Sequence, residues 1–410
     1  MSVEDESLRE RAEAVIPGGM YGHQSARLLP PNAPQFFERA EGAYLWDYDG
    51  RQFLDLMCGY GPNLFGYAHP AIDAAYIRQL ETIDAATGPS AVMVELAEAY
   101  AEQVGHCDWT IFCKNGTDAT SIALMTARAH AGKRKVLLAK GAYHGAAPWC
   151  TPMPAGTVSE DRAHFIHYVY NDVDSLRQAA ADAGNDLAGI FASPFKHDVI
   201  VPQEAPDPAY AAAVRQICDE TDALLIVDDV RAGFRISRDC SWSLLGIQPD
   251  LSSWGKAIAN GHPISCLMGS DRARAAAQKL YVTGSYWFAA AAMAAGLETL
   301  ELIRSTDYLE RIETLGDRLR EGLDGIAGRH GVRISQTGPV QMPLIMFDTP
   351  DGQRDMTYGA AFCDAMLAAG VYFHPFHNMF LNAAMTDDDI DMALDAADHV
   401  MADLPQGVDA

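Results

Sequence analysis

Six short apolar segments that alternate with stretches of helical period constrain the fold of this chain most strongly. They are predicted to be strands near residues 109–114, 135–140, 163–169, 187–193, 223–228 and 263–268. A chain that alternates strands with helices in this way builds a largely parallel sheet with helices on both faces. The sequence therefore predicts an α/β fold.

The segments on either side of this alternation predict a smaller α+β domain. After residue 305 the pattern changes to helix, strand pair and helix, and the last helix begins at Thr386 with acids in its first turn. Such acids favour the positive end of the helix dipole. We expect an N-terminal arm with part of the small domain at 1–75, a large domain at 76–305, and a C-terminal small domain at 306–410.

Composition disfavours several classes of function. The 410 residues carry a formal net charge of −25, whereas nucleic acids and anionic membranes require clustered Lys and Arg. The eight cysteines show no C-x-x-C spacing, which favours reduced thiols in a cytoplasmic protein. The thirteen histidines show no spacing typical of a metal site. The acidic N-terminus predicts no signal peptide, and no apolar run is long enough to span a membrane.

An aspartate at the end of one predicted strand and a lysine 28 residues later indicate the chemistry. Apolar residues run into Asp228, so its carboxylate is expected at the carboxyl end of the sheet, where open α/β sheets bind ligands. Lys256 lies among small and apolar residues, where its amine is easily desolvated and can serve as a Schiff-base amine. Such a pair is what pyridoxal 5′-phosphate requires. A buried salt bridge between the two residues is the alternative.

Two features upstream favour the cofactor. Asn115, Gly116 and Thr117 form a polar turn between a predicted strand and a helix, and the N–H groups at a helix start can bind phosphate. Tyr143 and His144 follow another predicted strand beside glycines, where an aromatic ring can stack on a cofactor. Each feature alone has an ordinary alternative, a plain helix cap for the turn and simple packing for the Tyr-His pair. All of them in this chain order favour a pyridoxal-phosphate site.

The motifs resemble those of class III, fold-type I aminotransferases of the glutamate-1-semialdehyde aminomutase branch. The resemblance covers nearly the whole chain and rests on residues 15–19, 43–50, 59–62, 66–70 and 370–375. It implies pyridoxal 5′-phosphate as cofactor and a large domain with a mostly parallel, seven-stranded type of sheet covered by helices. Within the branch, residues 17–23, 113–116 and 227–235 look most like the bacterial aminotransferases of hydrolysed fumonisin, which pass the amine of a long-chain amino polyol to pyruvate.

The resemblance also implies a role for each motif residue. Lys256 would hold the cofactor through its amine and then act as the base at the substrate Cα, and Asp228 would stay ionised beneath the ring nitrogen. By family position, the phosphate would be contacted by Asn115, Gly116 and Thr117. The ring would be contacted by Tyr143 and Val230, with His144 beside them. Ser285 would contact the phosphate bound by the neighbouring subunit. The contact at Ser285 implies a homodimer with shared active sites.

Departures from the family pattern bear on the substrate. Ser193 stands where the family has glutamate, and the loop that gates aminomutases is absent, which favours true transamination. Arg231 replaces the usual Gln or Met. Because no Lys or Arg occurs after Arg354, Arg231 is expected to bind the acceptor carboxylate, with Arg27 as the alternative.

An apolar channel for a chain-like amine is expected to be lined by Tyr21, Tyr60, Trp287 and Phe288. Each of these side chains could instead belong to a core. The sequence thus predicts transamination of a long-chain or bulky amine, such as a fumonisin-like amino polyol or another 2-amine, with a keto acid such as pyruvate. The alternatives are a glutamate-1-semialdehyde type of aminomutase, an amino-acid transaminase, or a regulator that binds the cofactor without catalysis.

Overall fold

The structure, a computed structural model, describes residues 3–196 and 201–404. Its strands are β1 Phe37–Glu41, β2 Tyr44–Asp47, β3 Gln52–Asp55, β4 Trp109–Cys113, β5 Lys135–Ala139, β6 Phe165–Tyr168, β7 Leu187–Ala192, β8 Leu224–Asp228, β9 Leu251–Trp254, β10 Ser265–Gly269, β11 Ile334–Thr337, β12 Leu344–Phe347 and β13 Val371–Tyr372. Its α-helices are α1 Val3–Val15, α2 Pro70–Leu80, α3 Val92–Gln103, α4 Gly116–Ala131, α5 Val173–Ala183, α6 Pro208–Thr221, α7 Asp271–Ala277, α8 Ala290–Ser305, α9 Tyr308–His330, α10 Met356–Ala368 and α11 Asp387–Asp403.

Contacts divide the chain into two units. The large unit spans residues 70–309, and the small unit combines residues 1–69 with residues 310–410. The sequence analysis places the corresponding limits after residues 75 and 305. Among residues 3–196 and 201–404, no helix combines the length and the apolar character needed to cross a membrane.

The large unit is built on a seven-stranded sheet in the order β4-β10-β9-β8-β7-β5-β6. Neighbouring strands from β9 to β6 run parallel, whereas β10 runs antiparallel to both β4 and β9. The prediction of a mostly parallel α/β sheet is therefore confirmed.

The seven strands that the family resemblance implies are present, but the six predicted segments do not include β9. This strand has the sequence Leu-Ser-Ser-Trp and is buried along its whole length. Its serines are not typical of a buried strand, but in the structure Ser252 has partners. Ser252 Oγ accepts a hydrogen bond from Trp254 Nε1 at 2.6 Å and lies 2.7 Å from His106 Nε2. A buried hydroxyl with partners is tolerated in a core, so a polar residue does not exclude a buried strand.

The parallel strands bring the candidate residues to one edge of the large-unit sheet. Every residue of β7 and β8 is buried, as expected for strands covered on both faces. His144 follows β5, Ser193 follows β7, and Lys256 follows β9, while Asp228 is the last residue of β8. Carboxyl ends of parallel strands meet at the same edge, which is where such sheets bind ligands.

The small unit contains the order β1-β2-β3-β13 in one sheet and the antiparallel pair β11-β12. Its last helix, α11, begins as predicted. Thr386 is the N-cap residue and accepts a hydrogen bond from the backbone N–H of Asp389, whose carboxylate in turn accepts from the N–H of Thr386. This reciprocal pair satisfies two donors that the first turn of a helix leaves without partners.

Candidate cofactor-binding and catalytic site

Asp228 lies at the carboxyl end of β8 with 8% of its surface exposed. Its Oδ2 atom lies 2.8 Å from His144 Nδ1, and its Oδ1 atom accepts the backbone N–H of Val230 at 3.3 Å. The sequence analysis placed His144 near the cofactor but missed its pairing with Asp228. Two partners on a buried carboxylate fix its orientation and compensate for lost hydration.

His144 is held from several sides. The Thr120 hydroxyl donates to its carbonyl oxygen at 2.7 Å, and its ring lies 5.0 Å from the ring of Phe191. Its Nε2 atom is buried and has no hydrogen-bond partner within the part of the chain that the structure describes. An orphaned polar atom next to Asp228 is consistent with a site built around a bound group.

Lys256 begins a short turn directly after β9. Its φ angle is 51°, in the left-handed region that residues other than glycine rarely adopt. The preceding Gly255 leaves room for this turn, because a Cβ atom there would lie 2.6 Å from Ser265 Oγ. The backbone therefore holds the lysine in one unusual conformation, of the kind that recurs at functional sites.

The environment of Lys256 favours its neutral amine. Burial, together with the charges of Arg231 and Arg235, lowers the pKa of Lys256 to about 7, against the raising effect of Asp228. Burial also lowers the pKa of Arg231 to about 10, against the raising effect of Asp228 and Tyr143. Near neutral pH the site thus combines a partly deprotonated lysine with a charged arginine.

The turn before α4 has the geometry of an anion cradle. Asn115 Oδ1 accepts the N–H of Asp118 at 3.0 Å, so the Asn115 side chain caps the helix. The N–H groups of Gly116 and Thr117 lie in the first turn of α4, where a helix supplies no internal acceptors and carries partial positive charge.

Two glycines keep this cradle open. A Cβ atom on Gly116 would lie 2.8 Å from Val230 Cγ1. Gly145 has a φ angle of 118°, and a Cβ atom there would lie 2.5 Å from Thr117 Oγ1. The Thr117 hydroxyl accepts the N–H of Ala146 at 3.1 Å, which leaves its proton available to a ligand. The sequence analysis gave no role to Gly145 or Gly255, although a glycine next to a strand-end aromatic or lysine is the signal that indicates close approach.

These residues fit pyridoxal 5′-phosphate. The cradle at Gly116 and Thr117 suits a phosphate, the buried carboxylate of Asp228 suits a protonated ring nitrogen, and the amine of Lys256 suits an aldehyde carbon. Val230 lies in the turn after β8 rather than on the strand, and its side chain contacts the Gly116 position. Tyr143 is 37% exposed, and burial of the remainder raises the pKa of its hydroxyl.

The other predicted site residues are divided between the two units. Ser285 is exposed, and Trp287 packs against the core of the large unit, whereas Phe288 is half-buried. In the small unit, Tyr60 makes an edge-on contact with His377 at 5.3 Å between ring centroids. Tyr21 and Arg27 belong to the same unit and are exposed.

Asp229 and Arg235 are both buried. Asp229 accepts the N–H of Ser241 at 2.8 Å, and burial raises the pKa of its carboxyl to about 6. Arg235 has no exposed surface. Asp229, the acid directly after β8, therefore anchors the following segment.

Comparison with known proteins identifies the family. Residues 29–401 match the class III aminotransferase model. The chain is 55% identical over 396 residues to the aminopentol aminotransferase of Sphingopyxis macrogoltabida, covering 96% of this chain and 93% of that protein. It is 28% identical over 424 residues to the glutamate-1-semialdehyde 2,1-aminomutase of Nitrosomonas europaea, covering 98% and 97%.

A solved structure agrees with these matches. The structure of the pyridoxal-phosphate internal aldimine form of the FumI protein from Sphingopyxis sp. MTA144 superposes with a TM-score of 0.96 and 54% identity, covering 98% of this chain and 96% of that one. The predicted resemblance and cofactor are confirmed. The chain belongs to the class III aminotransferases and is a pyridoxal 5′-phosphate-dependent enzyme that transfers an amino group from an amine donor to a keto-acid acceptor.

Proposed function

We propose that the physiological donor is a long-chain or bulky amine, such as a hydroxylated 2-amine, and that the acceptor is pyruvate or a similarly small keto acid. The observation that carries this proposal is the 55% identity to an aminopentol aminotransferase over 96% of the chain. The aminomutase alternative is less favoured, because identity to an aminomutase is only 28%.

The residues of the site have the properties that this reaction needs. Bound pyridoxal phosphate supplies an electron sink for the negative charge that develops at the substrate carbon bearing the amine. We propose that the neutral amine of Lys256 would take the proton from that carbon and deliver it to C4′ of the cofactor, and would move a proton in the opposite direction when the acceptor reacts. Asp228, oriented by His144, would hold a proton on the ring nitrogen, and the Gly116 and Thr117 N–H groups would hold the phosphate.

A panel of donors and acceptors tests the proposed function. We expect deamination of aliphatic 2-amines with pyruvate, and little activity with 2-oxoglutarate, whose second carboxylate has no assigned cation. Alanine formation measured by chromatography gives the rate for each pair. Faster isomerisation of glutamate-1-semialdehyde than deamination of any amine would replace the proposal with the aminomutase function.

The pKa of Lys256 predicts how the enzyme without cofactor captures pyridoxal phosphate. Only the neutral amine attacks an aldehyde, and burial lowers the pKa of Lys256 to about 7. The rate of absorbance change on mixing should therefore rise with pH up to about 7 and level off above it. An ordinary lysine would keep gaining rate towards its usual pKa of about 10.4.

The control for this pH profile is a pair of lysine variants. Lys256→Ala should abolish both the absorbance change and turnover, whereas Lys279→Ala, at an exposed position, should retain the wild-type profile. A rate that still increases between pH 8 and pH 10 would contradict the assigned environment of Lys256.

Arg231 is the proposed site for the acceptor carboxylate. It is the cation whose charge acts on both Lys256 and Tyr143, and no Lys or Arg follows Arg354 in the chain. Loss of a bidentate charge-assisted contact costs about 2–3 kcal/mol, so Arg231→Ala should raise the KM for pyruvate roughly 30- to 150-fold. The half-reaction with the amine, followed spectroscopically without acceptor, should change far less.

Arg27→Ala is the matched control for the acceptor site, because Arg27 is an exposed arginine of the small unit. It should leave the KM for pyruvate near the wild-type value. A large effect of Arg27→Ala together with none from Arg231→Ala would move the carboxylate site to Arg27.

We propose that the enzyme acts as a homodimer in which Ser285 contacts the phosphate bound by the other subunit. Ser285 is exposed and lies between two exposed aromatic residues, Tyr281 at 90% and Tyr286 at 68% exposure. Large apolar residues on a surface are typical of an interface. Sedimentation should show a dimer at working concentration, and Ser285→Ala should weaken cofactor binding, whereas a fully active monomer would contradict the proposal.

All eight cysteines are free thiols, which supports a reducing compartment such as the cytoplasm.

A further inference from the structure

The small unit contains a cavity of about 180 Å³ whose lining residues all belong to that unit. Aromatic side chains form much of its wall, together with aliphatic ones: Phe37, Tyr60, Tyr67 and Tyr372. A cavity of roughly 150 Å³ holds one benzene molecule, so this one holds a ligand of about seven non-hydrogen atoms. Its size and its rings therefore suit a small ligand that aromatic side chains can cover.

The cavity is also lined by the carboxylate of Asp55, which is 1% exposed. Its Oδ2 atom accepts the Tyr67 hydroxyl at 2.5 Å, and its Oδ1 atom accepts the N–H of Met57 at 2.8 Å. These partners are neutral, and the part of the chain that the structure describes contains no ion pair between Asp55 and a Lys, Arg or His. Burial raises the pKa of this carboxyl, against the lowering effect of its hydrogen bonds. A cation in the cavity would compensate the buried negative charge.

The wall of the cavity favours one kind of cation. Aromatic rings attract a cation through their faces, and a desolvated ammonium group gains most from this contact. Both oxygens of Asp55 already accept hydrogen bonds, so an ammonium group with three N–H donors would leave some of them without acceptors. A quaternary ammonium group has no N–H donor and requires only the negative charge and the aromatic contact.

A second polar group indicates an oxygen atom on the same ligand. Gln35 lines the cavity, and its Nε2 atom is buried without a hydrogen-bond partner among residues 3–196 and 201–404. The backbone N–H of Gln35 donates to Asp5 Oδ1 at 2.9 Å, which holds the residue in place. A buried amide donor without a partner is costly, so a ligand oxygen that accepts its hydrogen bond gains affinity.

We propose that this cavity is a binding site for a small quaternary ammonium alcohol, a class of which choline is the simplest example. The ammonium group would lie against the aromatic rings beside Asp55, and the hydroxyl oxygen would accept from Gln35 Nε2. The size of choline matches the number of atoms that the volume holds. The proposal assigns no part of the amine donor or of the acceptor, so it does not depend on the proposed function.

The first test compares three probes by ligand-observed NMR on the cofactor-loaded wild-type enzyme. Choline is compared with 3,3-dimethylbutan-1-ol, which has the same shape without the charge, and with propyltrimethylammonium, which has a methyl group in place of the hydroxyl. None of the three has an amine hydrogen, so none can react as a donor. Choline should bind roughly 30-fold more tightly than the neutral alcohol and about fivefold more tightly than propyltrimethylammonium, the gains typical of a desolvated cation and of one neutral hydrogen bond.

Two variants test whether these preferences arise in the cavity. Asp55→Asn removes the charge and should reduce the preference for choline over the neutral alcohol about tenfold. Gln35→Leu keeps a similar volume and should remove the fivefold effect of the hydroxyl. Asp49→Asn and Gln353→Leu make the same changes at exposed positions of the small unit and should leave both preferences unchanged.

The proposal is overturned if the wild type does not bind choline, or binds choline and the neutral alcohol equally. It is also overturned if choline binding survives both Asp55→Asn and Gln35→Leu, because the cation would then lie outside the cavity. If Asp55→Asn fails to fold, Phe37→Leu takes its place, since it removes one aromatic ring at a half-buried position. Phe37→Leu should weaken choline more than the neutral alcohol, and equal weakening of the two would contradict the proposal.

Discussion

The pairing of Asp228 with His144 is the interaction on which the arrangement of the site depends. A carboxylate at the end of a fully buried strand needs hydrogen-bond partners, and His144 Nδ1 at 2.8 Å and the Val230 N–H at 3.3 Å provide them. His144 in turn receives the Thr120 hydroxyl from α4. One chain of contacts thus joins the end of β8, the segment after β5 and the first turns of α4.

Close approach at glycines makes the rest of this geometry possible. Val230 lies against Gly116, and Thr117 lies against Gly145, at distances where a Cβ atom would collide. The phosphate cradle and the segment after β8 are therefore packed directly against each other. The close packing of this turn depends on the absence of side chains at Gly116 and Gly145.

The sequence predicted the parts of the site that are local in the chain. Each of three features has a local pattern: the strand that ends at Asp228, the capped turn at Asn115, and the lysine among small and apolar residues. The pairing of Asp228 with His144 has none, because it depends on strand order, and β7 lies between β5 and β8 in the sheet. Strand β9 was missed because its serines resemble a loop until their burial and hydrogen bonds are known.

Lys256 and Arg231 differ in their charge state near neutral pH. The pKa of Lys256 is about 7 and that of Arg231 about 10, so at pH 7 to 9 the arginine is charged while much of the lysine is neutral. Arg231 also helps to keep the lysine neutral, because its charge lowers the pKa of Lys256. A carboxylate bound to Arg231 would offset that repulsion and raise the pKa of the lysine. Acceptor binding at Arg231 and protonation of Lys256 would then be linked.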